Sequence, residues 1–167
     1  MSKFNLLEGD VDTELFQQLI DIYNEHQEEY VIFFSSRGGR DDIGELMIDL
    51  INMHSHCTTL IGSGYLYSKG FDVFFKSECH RVLKPITVGL VHGGSIYGNF
   101  NHVGITDRIS KSHYDQMIES EPESREFYKG LGLTKKELKL YDSGDDVILS
   151  YKRLNELLNN QKAKNKK

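Results

Sequence analysis

The chain has 167 residues, 38% of them hydrophobic and 27% charged, a balance that suits one globular domain with a sizeable core. Its formal net charge of −5 argues against nucleic acid or an anionic membrane as the main partner, since both reward clustered Lys and Arg. Two cysteines, Cys57 and Cys79, make no disulfide framework, and no apolar run reads as a signal peptide or a membrane span, so the expectation is a soluble cytoplasmic protein.

In chain order, Leu6 to Asp12 reads as an extended stretch with a turn at Gly9-Asp10. Asp12 is placed to cap a helix whose apolar positions Leu15, Phe16, Leu19, Ile22 and Tyr23 recur at helical spacing. Val31 to Phe34 is a short apolar run typical of a strand buried on both faces, ending in Ser35-Ser36-Arg37-Gly38-Gly39. Ile43, Leu46, Met47, Leu50 and Ile51 mark a second helix. Thr58 to Ile61 reads as a strand, Gly62 and Gly64 as a glycine-spaced turn, and Ser68 as the start of a helix carrying Phe71, Phe74 and Phe75. Pro85 breaks the chain before a third apolar strand, Ile86 to Val91, which ends on His92. This β-α-β-α-β alternation implies an α/β fold built on a parallel sheet, with polar or glycine-rich strand ends gathered along one edge.

After His92 the texture changes. Gly93 to Ile109 is glycine- and asparagine-rich and reads as a hairpin or loop. Lys111 to Lys129 reads as a charged helix interrupted by Pro122, with Tyr114, Met117, Ile118 and Phe127 as its apolar stripe. Thr134 caps a short helix, Val147 to Leu149 is a brief strand, and Tyr151 to Leu158 is a last helix. One domain is expected over residues 1–158, followed by a lysine-rich disordered tail, 159–167.

Ser68 at a strand-to-helix turn and His92 at the end of the next strand suit nucleophilic catalysis: the turn exposes the hydroxyl, and the imidazole can take its proton. The plainer reading is a helix cap and a structural histidine. A third group would be a carboxylate fixing the imidazole tautomer, and Asp142, Asp145 and Asp146 are all candidates. Gly38-Gly39 reads either as a tight turn or as a source of a bare amide for an oxyanion. His54-Ser55-His56-Cys57 lacks a second ligand pair at a recognised spacing and reads as a polar helix terminus; neither a metal nor a cofactor is expected.

With those residues in place, the chain resembles the proteolytic subunit of the Clp protease, in the ClpP/crotonase superfamily. Ser36-Arg37-Gly38-Gly39 is similar to that family's Ser-Pro-Gly-Gly turn, and Gly64-Tyr65-Leu66-Tyr67-Ser68-Lys69-Gly70 to its Gly-x-Ala-Ala-Ser-Met-Gly. Arg81, Pro85 and His92 repeat its Arg-x3-Pro-x6-His spacing, and Asp146 to Ser150 resembles its Asp-Arg-Phe-Leu-Ser. Leu7 to Asp12 and Leu133 to Leu138 resemble its first strand with turn and its penultimate short helix. The resemblance implies a serine peptidase with Ser68 as nucleophile, His92 as base and Asp146 orienting His92. It further implies an oxyanion hole formed by the amides of Gly38 and Lys69, peptide or unfolded protein as substrate, and a homo-oligomeric ring. A handle region from about Gly93 to Lys129 would join rings, and an ATP-dependent unfoldase would be a partner.

The departures are local. Arg37 replaces a proline, Tyr65, Leu66 and Tyr67 replace small residues, and Lys69 replaces a methionine. The Lys69 ammonium is expected to make the site electropositive and to lower the proton affinity of His92. The bulky tyrosines motivate a rival reading, a non-catalytic subunit or interaction protein that keeps the fold. A third, an acyl-CoA-binding crotonase relative, would share the oxyanion logic without needing a serine nucleophile.

Overall fold

The computed structural model describes residues 4–93 and 122–164. They fall into two compact units, one of residues 4–91 with 148–158, the other of residues 92–93 and 122–147 with 159–164.

The first unit is a parallel α/β layer. Strands β1 (Phe4–Glu8), β2 (Tyr30–Ser36), β3 (Thr58–Tyr67), β4 (His80–Leu83) and β5 (Val88–Val91) alternate with helices α1 (Thr13–Asn24), α2 (Asp41–Met53) and α3 (Lys69–Lys76). The sheet order is β1-β2-β3-β5, then the short β6 (Val147–Leu149), with β4 also paired to β3. Every registered pair is parallel, as the β-α-β alternation requires. Asp12 caps α1 by accepting the Leu15 amide at 2.9 Å. Leu15, Leu19, Ile22 and Tyr23 of α1 and Ile43, Met47 and Ile51 of α2 are buried at helical spacing.

Three expectations change here. The strand expected to end at Ile61 runs on to Tyr67, because Gly62 and Gly64 lie within β3 instead of turning the chain. They mark the place where β3 changes neighbour: Thr59 to Gly62 pair with β4, whereas Tyr65 to Tyr67 pair with β5. Neither glycine has room for a side chain, since a Cβ on Gly62 would stand 2.9 Å from Leu83 Cδ2 and one on Gly64 2.9 Å from Ser35 Oγ. Strand β4 was hidden in the sequence by the charged residue at its centre, Arg81, which is buried and donates to the Phe74 and Phe75 carbonyls at 3.3 and 2.6 Å. Finally, among the described residues β2 is fully buried on one face and half-buried on the other. Val31 and Phe33 are half-buried, and their side of the sheet also carries the exposed Phe4 and Leu6.

In the second unit, residues 122–131 are helical and form α4, and α5 spans Lys135–Asp142. Thr134 and Glu137 form a reciprocal capping box at the start of α5, and Tyr128 packs edge-on against Tyr141 at 5.2 Å. The final helix, α6, spans Tyr151–Lys164. The expectation of disorder from residue 159 onward is therefore corrected as far as Lys164. Helix-compatible Gln, Lys and Ala extend the helix, its last turn holds Lys162 and Lys164 where cations suit the dipole, and Lys164 Nζ donates to the Gly130 carbonyl. The handle expected between Gly93 and Lys129 falls mostly on residues 94–121, outside the described residues, together with Tyr114, Met117 and Ile118 of its stripe.

Candidate active site

The β3–α3 junction is built around Ser68. Strand β3 delivers it between Tyr67 and Lys69, and α3 is anchored directly behind by Phe71, Phe74 and Phe75, all fully buried. Burial of each ring contributes about 1.5–3 kcal/mol, enough to hold a strained residue in front of it. Ser68 has φ 51° and ψ −123°, a backbone conformation that a residue with a Cβ rarely adopts and that costs about 1–3 kcal/mol. Its amide donates to the Leu90 carbonyl at 2.7 Å, and its own carbonyl accepts the Phe71 and Asp72 amides. Although Ser68 occupies the cap position of α3, its side chain makes no capping bond. The plain reading of a serine at a helix start is a cap, and that is not what this hydroxyl does.

Gly38 lies against this elbow. A Cβ placed on it would stand 2.7 Å from Ser68 Cβ, 3.0 Å from the Tyr67 carbonyl oxygen and 3.3 Å from the Lys69 amide nitrogen. Gly38 and Gly39 have φ of 101° and 147°, so the pair is both conformationally and sterically reserved for glycine. The structure thus brings Ser68, Gly38 and Lys69 together. The Gly38 amide donates to Ser36 Oγ at 3.1 Å. Val11 brackets the next residue, donating to the Gly38 carbonyl at 2.7 Å and accepting the Arg40 amide at 2.8 Å.

Lys69 departs from expectation. Its side chain is buried, with Nζ 2.5 Å from Glu45 Oε1, 3.7 Å from Asp41 Oδ1 and 3.9 Å from Asp72 Oδ2. Carboxylates of α2 and α3 compensate the ammonium where it sits, so the expected electropositive contribution to the site does not arise. Burial works against the Glu45 carboxylate, but the hydrogen bond from Lys69 and the charges of Lys69 and Lys76 outweigh it and hold the carboxyl below its usual range.

His92 and Asp146 both belong to the second unit. His92 is half-buried, with Nδ1 2.9 Å from the Gly93 carbonyl oxygen. Asp146 is exposed at the foot of β6. Of the alternative carboxylates, Asp142 is held bidentately by Arg125 at 2.6 and 2.8 Å, and Asp145 accepts the Ser143 hydroxyl at 3.0 Å. Among the described residues no hydrogen bond joins His92 to any of the three. His54 ends α2, with Nδ1 3.0 Å from the Leu50 carbonyl and its ring stacked on Tyr23 at 4.1 Å.

Away from the elbow, an open and mostly apolar cavity of about 260 Å³ is lined by Leu6, Phe33, Tyr65 and Ile86 with Glu8 and Ser63. It contains none of the candidate catalytic residues. Tyr65 also carries the Arg37 guanidinium 5.0 Å above its ring, so two of the departures from the family pattern contact each other. Among the described residues no helix is long and apolar enough to cross a membrane.

No protein-family model matches the chain, and no curated protein matches it in sequence. Among solved structures, a point mutant of ClpP1 from Listeria monocytogenes superposes with a TM-score of 0.64 at 18% identity, covering 92% of this chain and 86% of that one. The chain has a ClpP-like α/β fold.

Proposed function

We propose that the chain is a serine endopeptidase of the Clp proteolytic-subunit type. The observation that supports this best is the strained Ser68 elbow, at φ 51° and ψ −123°, with a hydroxyl that makes no capping bond. Strain at a residue with a Cβ persists only where the surroundings enforce it, and it accumulates at functional positions. Ser68 Oγ attacks the scissile carbonyl while His92 takes its proton. His92 then protonates the leaving amine, and water releases the acyl group from Ser68 by the same two proton transfers in reverse order. Asp146 is assigned to orient His92. The amides of Gly38 and Lys69 hold the oxyanion. Chain order Ser-His-Asp separates this arrangement from α/β-hydrolases, in which the acid precedes the histidine. Peptide or unfolded protein is the substrate, a homo-oligomeric ring the assembly, an ATP-dependent unfoldase a candidate partner, and the cytoplasm the location. The test is a fluorophosphonate probe with peptide hydrolysis by the pure protein: the parent should label at Ser68 and Ser68→Ala should lose both signals. Hydrolysis unchanged in Ser68→Ala rejects the proposal.

A second reading, a folded subunit without turnover, is favoured by the Gly38 amide being occupied by Ser36 Oγ and by His92 Nδ1 facing a backbone carbonyl. A well-folded oligomer that never labels would establish it.

A further inference from the structure

Lys69 links the elbow to the neighbouring helix. Its Cα follows Ser68, and its side chain turns back across α2 with only 5% of its surface exposed. The stem lies over Gly44, where a Cβ would stand 2.3 Å from Lys69 Cε and 2.4 Å from Cγ, so the side chain fits because residue 44 has none. The ammonium then donates to Glu45 Oε1 at 2.5 Å. Lys76, one helical turn beyond Asp72, lies 3.1 Å from Asp72 Oδ2 and 3.8 Å from Glu45 Oε1, extending the ionic contact between the two helices. Surface ion pairs generally contribute little, but this one ends on a buried ammonium, and a buried charge that loses its nearest partner is strongly unfavourable.

We propose that Glu45 and Gly44 are positioning residues for the Ser68 elbow. By fixing the far end of the Lys69 side chain they fix its backbone, and so hold the Lys69 amide and the strained Ser68 backbone in place. The catalytic consequence rests on the peptidase reading; the mechanical one does not. Glu45 touches no reacting atom and acts through Lys69.

The experiment follows amide hydrogen exchange in the full chain for the parent, Glu45→Gln, and Glu45→Gln/Lys69→Met, alongside the fluorophosphonate labelling rate. In Glu45→Gln the Ser68 amide, bonded to Leu90, should exchange at least about tenfold faster, the scale of one charge-assisted hydrogen bond. The Leu60 amide, in β3, should change much less. The double variant, whose apolar side chain needs no carboxylate, should recover most of the protection at Ser68. Labelling at Ser68 should slow in Glu45→Gln and recover in the double variant. Equal acceleration at Leu60 and Ser68, no acceleration at Ser68, or no recovery in the double variant overturns the proposal. A parent that never labels rejects the peptidase reading, while the exchange comparison still decides the role of Glu45.

Discussion

The Cα of Gly38 is so close to Ser68 that any side chain at residue 38 would collide with the serine's own Cβ, at 2.7 Å. With φ at 101°, the position is closed to other residues by backbone conformation as well as by space. Gly38→Ala should therefore destabilise the chain by about 2–4 kcal/mol and abolish labelling at Ser68. Thermal unfolding and probe labelling measure the two effects separately, and an unchanged melting temperature would refute the first.

Acid should loosen the contact between α2 and α3. The Glu45 carboxyl is held below its usual range in the folded chain, whereas in the unfolded chain it titrates near the ordinary glutamate value of about 4.3. The unfolded state therefore binds more protons across that window. The contribution is fully present above the unfolded value and is lost as pH falls through the folded one. Because the Glu45 side chain is 55% exposed, about 1 M salt should shrink the effect. Melting temperature against pH, parent minus Glu45→Gln, should fall toward zero below about pH 4. A flat difference would contradict the assignment.

Arg81 places a guanidinium under the C-terminal end of α3, donating to two carbonyls there. Burial lowers its proton affinity, but guanidinium stays charged throughout the working range. Arg81→Leu should cost about 2–4 kcal/mol by leaving those carbonyls without donors. Urea unfolding gives the value, and a loss within experimental error would show that the carbonyls find other partners.

The two thiols should differ. Burial pushes the Cys79 thiol up to about 11, only partly offset by nearby Arg81, and the residue is 6% exposed. Cys57 is half-buried and donates weakly to the His54 carbonyl at 3.4 Å. At about pH 8 a chromophoric thiol reagent should titrate Cys57 in the native protein and reach Cys79 only after unfolding. Two equally fast thiols would refute this.

The sequence made the helices legible because each buries a stripe at regular spacing, as Leu15, Leu19 and Ile22 do. Asp12 and Thr134 were equally readable as caps, since capping is a local matter of side chain to nearby amide. Gly62 and Gly64 misled because glycine serves both for turning a chain and for admitting a neighbour, and only the packing of Leu83 and Ser35 decides which. The proximity of Ser68, Gly38 and Lys69 followed from their motifs. The destination of the Lys69 ammonium did not, because its partner Glu45 lies 24 residues earlier on a helix whose sequence shows an ordinary charged surface.

The bond from the Ser68 amide to the Leu90 carbonyl also sets a timetable. The segment through Leu66 can pair with β2 as soon as both are made, but the partner of Ser68 arrives more than twenty residues later in β5. Until β5 docks, the Ser68 amide lacks this partner, and the strain rests on the remainder of the frame, the Lys69–Glu45 contact included. The complete frame of the elbow is therefore assembled only once β5 has paired with the end of β3.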